Sequence, residues 1–539
     1  MHTKYSVSNQ HPVAMKNIAT FLLTVMLPLL IITIVLRDAG RDNLVLEDLR
    51  EEYSIPHIPS VDHSKHAELQ REFTNPHELT ATCLSCHTER GEEVLANAHW
   101  NWEREAYIEG RGVTYLGKRN LINNFCTGIL SNEATCNRCH IGYGWADASF
   151  DHSNPNNIDC LICHDNSGLY DKARGGAGYP VPGLDLGKIA QQVGLPRKDN
   201  CGYCHFYGGG GNNVKHGDLE RALLTASWEV DVHMSMENTH LECVDCHKTT
   251  NHQMLGRYYG VSSENTQRAT CESCHTSMPH VNNKLNEHTI KVACQTCHIP
   301  VYAKVNPTKM HWDWSTATDR RDGEPYEILD TLGNLLYTSI KGDFHWRQNA
   351  VPDYVWFNGT ADHHLISDVI APNDTVIYIN TLFGDARDPD SRIHPVKIHT
   401  GRQPYDTEYR TIIQAKLWDA QPGAGALWVD LDWDEAVQRG MDYVGMPVSG
   451  EFDFIDSKMF LLVNHMVSPA EQALSCEDCH TRSGGRLESI EGIYIPAQTT
   501  YAAIDYFGLL MLLFSFIGIA IHASIRYVVH RKNSKTATH

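Results

Sequence analysis

Sixteen of the seventeen cysteines in this chain fall in one pattern. They stand as Cys83-x-x-Cys86-His87, Cys136-x-x-Cys139-His140, Cys160-x-x-Cys163-His164, Cys201-x-x-Cys204-His205, Cys243-x-x-Cys246-His247, Cys271-x-x-Cys274-His275, Cys294-x-x-Cys297-His298 and Cys476-x-x-Cys479-His480. C-x-x-C-H is the attachment signature of c-type haem. The two thiols add across the haem vinyl groups as thioethers, and the adjacent histidine ligates the iron. Eight copies, with no pair left as a plain C-x-x-C, call for eight covalently bound haems. Zinc ribbons need two C-x-x-C pairs per metal and leave each following histidine unexplained. A disulfide framework gives no reason for that histidine either, and iron–sulfur runs use other spacings. Cys126 alone is left over, an odd thiol in an oxidising compartment.

Each haem iron has two axial positions, and the motif fills one. Thirty-two histidines are present, so 24 remain after the eight motif positions. Those flanking the motifs are the candidates for the second ligand: His63, His99, His233, His252, His288, His394 and His465, with His280 and His399 beside them. His2, His11 and His539 lie outside the haem body and are poor candidates. The alternative for each is an ordinary core or surface histidine.

The composition narrows the class. Lys+Arg is 45 against Asp+Glu 65, a formal charge of −20, which argues against nucleic-acid binding. Hydrophobic residues at 42% with 20% charged argue against wholesale disorder. Two apolar stretches frame the chain. Ile18–Leu36 holds 19 residues without a charge, enough to span a bilayer, and no A-x-A site follows, so it reads as an uncleaved anchor. Tyr506–Val529 forms a second span with Arg526, Arg531, Lys532 and Lys535 at its far end. The positive-inside rule then puts both termini in the cytoplasm and the haem body on the periplasmic or extracytoplasmic side. His522 and His530 share one face of the second span. An interfacial pair is the preferred reading over ligation of a b-type haem shared with a partner.

Between the anchors the chain divides by haem density: residues 1–36 as cytoplasmic tail and anchor, 37–62 as linker, and 63–298 as a seven-haem core. Residues 299–475 carry no motif, 476–500 carry the eighth, and 501–539 form the second anchor with its basic tail. The predicted fold is mainly α with much irregular chain, organised around the haems, plus two terminal transmembrane helices. A small β element is expected in 299–475, from runs such as Thr375-Val376-Ile377-Tyr378-Ile379.

The local sequences around the motifs carry a resemblance. DHSKHAELQ (62–70), TCLSCHTE (82–89), AHWNWE (98–103), NNFC (123–126), CHIGYGWADASFD (139–151) and IDCLICHD (158–165) contribute to it. So do NCGYCHFYGGGGNNVKHGDL (200–219), TTNHQ (249–253), ACQTCHIP (293–300) and PTKMHWDWS (307–315). Together they resemble the octahaem tetrathionate reductase family over about residues 60–485. The stretch CHFYGGGG…VKHGDL is the most telling part. The resemblance implies a catalytic haem at the second motif, with His140 on one side of the iron and the Lys215 amine on the other. It also implies an unpaired cysteine beside that haem, which is Cys126 here, and as the one cysteine outside the haem pairs Cys126 is expected to be catalytic, contacting or reacting with a sulfur substrate. The family pattern has an acidic residue three positions before the lysine, where this chain has Asn212. The implied activity is reduction of a small sulfur or nitrogen oxo-compound, such as tetrathionate, nitrite or hydroxylamine. Pentahaem nitrite reductases are set aside, since no C-x-x-C-K occurs. The rival reading is an anchored electron conduit between the quinol pool and another cytochrome. The expected partners are a small inorganic substrate, the membrane, and a quinol-oxidising subunit or another cytochrome as donor.

Overall fold

The computed structural model describes residues 61–122, 126–237, 239–256, 268–499 and 501–536, together with a few positions between 26 and 33. The N-terminal span Ile18–Leu36 and the 37–62 linker thus lie almost wholly outside the described residues. The described chain divides into two compact units, Met1–Ala473 and Leu474–His539.

In the first unit the haem motifs sit on short helical elements. The longest of them, α1 (Pro76–Cys86), starts with the Asn75 side chain accepting from the His77 amide and with Pro76 in the first turn. Both features favour a helix start. α2 (Lys198–His205) carries the fourth motif. One helical turn suffices for the chemistry, because residues three apart lie on the same helix face and present both cysteines together. A β-hairpin, β1 (Arg104–Ile108) and β2 (Gly112–Leu116), follows the first motif region.

The motif-poor segment builds an eight-stranded mixed sheet. Its strands are β3 (Thr308–Asp313), β4 (Glu327–Leu329), β5 (Leu335–Thr338), β6 (Gly342–Arg347), β7 (Asp353–Phe357), β8 (Val376–Tyr378), β9 (Arg392–Asp406) and β10 (Phe452–Leu462). They run in the order β8-β10-β9-β3-β6-β5-β4, and β7 pairs with the start of β9. β9 is the axis, antiparallel to β10 from Val396 opposite Leu462 to Asp406 opposite Phe452, and parallel to β3 at Thr400–Arg402.

The β content corrects the expectation of a mainly α body with a small β element. β8 does lie within the Thr375–Ile379 run. The longest strand, β9, escaped because its buried face is largely polar. β9 buries His394, Lys397, His399, Gln403 and Asp406 along with its apolar residues, so an alternating hydrophobic pattern is not visible in it.

One side of the sheet is sealed by α3 (Trp433–Val444). Its Ala436, Val437 and Met441 pack with Trp312, Trp314, Phe344, Ile413 and Leu427 into one buried cluster. Trp312 and Trp314 stack with centroids 4.8 Å apart. In the second unit, the eighth motif opens a turn capped by Ser475 and Asp478. A 35-residue helix, α4 (Ala502–Thr536), closes the chain. Its segment Ala503–Lys532 has mean hydropathy 2.2 and no buried surface, long and apolar enough to cross a bilayer. Leu427→Ala, at a fully buried position of the cluster, is expected to cost about 2–5 kcal/mol. Denaturant unfolding of the variant measures it, and a loss under about 1 kcal/mol would show that the cluster closes over the gap.

Candidate functional site

The motif histidines are set by backbone hydrogen bonds. In the first, third, fifth, sixth and eighth motifs the histidine amide donates to the carbonyl of the first cysteine, at 2.8–3.1 Å. The second motif is wound tighter. There His140 donates instead to Asn137, at 2.7 Å.

Six motif histidines face a second imidazole. Ring centroids are 6.2 Å apart for His87 and His63, 6.4 Å for His164 and His252, and 6.1 Å for His205 and His99. They are 6.3 Å apart for His247 and His465, 6.0 Å for His275 and His233, and 6.0 Å for His298 and His280. A metal held by the far nitrogens of two imidazoles, at about 2.0 Å each, sets the centroids roughly 6 Å apart. The pairs therefore fit an iron between them. Several near nitrogens are already engaged. His164 Nδ1 lies 2.8 Å from the Gly194 carbonyl, and His247 Nδ1 lies 2.9 Å from that of Leu255. Such contacts orient the ring and leave Nε2 for a metal.

Two other candidate ligands sit differently. His394 is buried edge-on against Phe357, at 5.5 Å. His288 turns Nδ1 to the Lys284 carbonyl of its own helix. In the second unit, His480 Nδ1 lies 3.2 Å from the Pro496 carbonyl.

The motifs of the first unit lie within hydrogen-bond or electrostatic reach of one another through their sulfurs. Cys83 lies within hydrogen-bond reach of Cys160, Cys201 of Cys243, and Cys271 of Cys294. Cys139 reaches Cys204 in the same way, and Cys204 also points at the Cys139 carbonyl, at 3.8 Å. Cys163 feels Cys201, and Cys246 feels Cys274. A continuous path thus runs through motifs one, three, four, five, six and seven. The second motif branches from the fourth.

The second motif is the exception in its surroundings as well. His140 is fully buried among Trp145 at 4.8 Å, Trp100 at 5.1 Å and Trp102 at 5.2 Å. His152 comes within 6.5 Å. It is no counterpart to the other pairs, because Trp145 stands 4.8 Å from His140 and 5.0 Å from His152. His140 Nε2, the nitrogen an iron would need, lies 2.6 Å from the Trp100 carbonyl in this structure. Behind the motif, Lys172 and Asp159 form a buried ion pair at 3.0 Å. Lys172 Nζ also donates to the His140 carbonyl at 2.6 Å, and Asp159 accepts from the Tyr143 and Tyr170 hydroxyls.

Lys215 arrives on the loop after α2. Gly209 and Gly210 have φ of 83° and 91°, a conformation that glycine adopts without strain. Lys397 on β9 pins the loop, its buried amine donating to the Val214 and Lys215 carbonyls at 2.9 and 2.8 Å and to Thr308 Oγ1 at 2.6 Å. Burial pulls the Lys215 amine down to about 8, with Lys118 adding to the effect and Cys139 of the second motif opposing it. Lys215 thus lies within electrostatic reach of Cys139 in the second motif.

Cys126 lies there too, within electrostatic reach of Cys136 and packed on the Trp312 cluster. Burial pushes its thiol up to about 11, against the pull of Lys341 and Lys309. At neutral pH it is a thiol, not the thiolate a nucleophile needs. Asn212, at the position of the family's acid, accepts from the Arg221 amide at 2.8 Å.

Sequence reasoning missed Lys118, Lys309 and Lys397. Lys118 lies 4.2 Å over the Trp102 ring, and Lys309 lies 3.4 Å over Phe344 and 4.0 Å over Trp312. The usable signal was a lysine alternating with apolar residues in a strand, as in HPVKIHT and PTKMHWDWS.

These features are those of a multihaem c-type cytochrome. A bacterial cytochrome c family model matches residues 309–483. The crystal structure of an octahaem cytochrome c from Shewanella oneidensis is similar, with 42% identity and a TM-score of 0.75 over 82% of this chain and 98% of that one. An uncharacterised protein from Archaeoglobus fulgidus is 25% identical over 319 residues, 49% of this chain and 100% of its own length. The chain belongs to the octahaem c-type cytochromes and carries covalent c-type haem.

Asp159→Asn would leave Lys172 buried without its counter-charge. A loss of about 3–5 kcal/mol is expected, read as a lowered unfolding midpoint. An unchanged midpoint would mean that the carbonyls of His140 and Gly142 satisfy the amine alone.

Proposed function

We propose that the chain binds eight haems and reduces a small sulfur or nitrogen oxoanion at the second motif, with Lys215 as the exchangeable partner of His140. The observation that carries this is an asymmetry. Six motif histidines face an imidazole, whereas His140 is walled by indoles, and the Lys215 amine lies within electrostatic reach of Cys139 of the same motif. When bound there, haem supplies the redox couple and a Lewis-acidic iron.

The residues supply the rest. Lys118 and Lys341 bring positive charge, and Lys215 and Lys309 bring buried amines, to the surroundings of Cys126, Cys136 and Cys139, in a chain whose net charge is −20. Such a patch attracts an anion and orients it. Trp100, Trp102 and Trp145 exclude water on the His140 side. Lys397 holds the Lys215 backbone still, so the amine moves only through its own torsions. Tetrathionate fits best among the expected substrates, since two negative ends suit several lysines. Nitrite is the smaller alternative. Cys126, as a neutral thiol, contributes packing rather than attack.

α4 serves as a membrane anchor, with the haem body extracytoplasmic. That placement suits a quinol-oxidising membrane subunit or another cytochrome as the electron source. The sulfur-to-sulfur path through the other motifs favours a second reading, a conduit without a substrate. The two readings differ at one iron.

Lys215→Ala is the test, assayed with reduced viologen and with cyanide. Haem content should be unchanged, and turnover of the preferred oxoanion should change by at least about tenfold, or about 1.4 kcal/mol of barrier. Wild type should bind cyanide at one iron of eight. If neither wild type nor variant binds cyanide, the conduit reading replaces the reductase. Loss of the folded protein would make Lys215 structural.

A further inference from the structure

The near nitrogens of the facing histidines have different acceptors. His252, opposite the third motif, places Nδ1 2.7 Å from Glu93 Oε2. His465, opposite the fifth, places Nδ1 3.1 Å from Asp218 Oδ2. His99, opposite the fourth, has only the neutral amide of Asn97 there, with Nδ1 3.1 Å from Oδ1. A carboxylate on the near nitrogen makes an imidazole more basic and favours the more highly charged state of the metal it holds. A neutral amide does this less.

The fourth motif is also the junction. Cys201 lies within electrostatic reach of Cys163 of the third motif and within hydrogen-bond reach of Cys243 of the fifth, and Cys204 points at the Cys139 carbonyl of the second motif at 3.8 Å. We propose that Glu93 and Asp218 make the third and fifth centres harder to reduce than the fourth, so that electrons from either arm collect beside the second motif. Both carboxylates are potential-setting residues, and Asn97 is neutral for the same reason.

The two acids are not equal. Glu93 shares its charge with Arg90 through its other oxygen. Asp218 is almost wholly buried, and its Oδ2 takes the His465 ring nitrogen and the amides of Asn464 and His465. Its charge is therefore less screened, and the larger effect belongs to the fifth centre. The proposal rests on the histidine pairing in the functional reading, but not on Lys215.

The experiment is a spectroscopic redox titration of the full haem-loaded protein, as wild type, Glu93→Gln, Asp218→Asn and Asn97→Asp. The isosteric changes keep the side-chain shape. In Glu93→Gln and Asp218→Asn, one low-potential component each should move upward, further for Asp218→Asn. In Asn97→Asp one component should move downward, which covers the case in which either loss of charge prevents folding. EPR of the oxidised proteins gives the control. If the low-spin bis-histidine signals persist and no midpoint moves in any variant, the proposal is overturned. If those signals are missing from wild type, the histidine pairing itself fails instead.

Discussion

Everything in this molecule answers to one spacing. Two imidazoles must stand roughly 6 Å apart, with their far nitrogens aimed at a common point, if one metal is to bind both. The motif delivers one of them by a single helical turn, so long helices are unnecessary there. The other must come from anywhere in the chain. His63 faces His87 from 24 positions upstream, whereas His465 faces His247 from more than 200 downstream. The fold is the device that closes those distances. This explains why short helices and irregular chain suffice in the motif-rich part, while a rigid sheet lies in the motif-poor part.

The sheet has a second duty, which is to carry charge into the interior. Lys397 and Lys309 stand on its strands with their amines buried, and neither forms an ion pair among the described residues, although Asp218 lies within electrostatic reach of Lys397. Lys397 spends its hydrogen bonds on the loop of Lys215, and Lys309 lies against aromatic faces. Burial on this scale disfavours the charged form. Such residues cost stability, and a protein retains them where a cation or an amine is useful. Lys309 lies within electrostatic reach of Cys126, and Lys397 holds the loop of Lys215.

What could be read beforehand follows from how local the signal is. The C-x-x-C-H runs were legible because attachment chemistry is written within five residues. His63, His99, His233, His252 and His465 stand out by nearness to the motifs, and each faces a motif histidine. His280 belongs with them, although His288 and His394 ranked beside it and sit differently. Partner choice is a matter of tertiary path, and sequence spacing does not encode it. β9 stayed hidden for a related reason: His394, Lys397 and His399 break the alternation that marks a strand. Cys126 and Lys215 were found through likeness to a family. Lys118 and Lys172 had no such guide, because a lysine in a loop reads as solvated until the structure closes around it.

The eight-residue helix α2 concentrates an unusual amount of connectivity. Its two cysteines reach three other motifs, so this one turn acts as a crossroads, whereas its neighbours are stations on a line. A defect in a station shortens the line. A defect at the crossroads separates the second motif from both arms at once and leaves two strings of motifs that no longer meet.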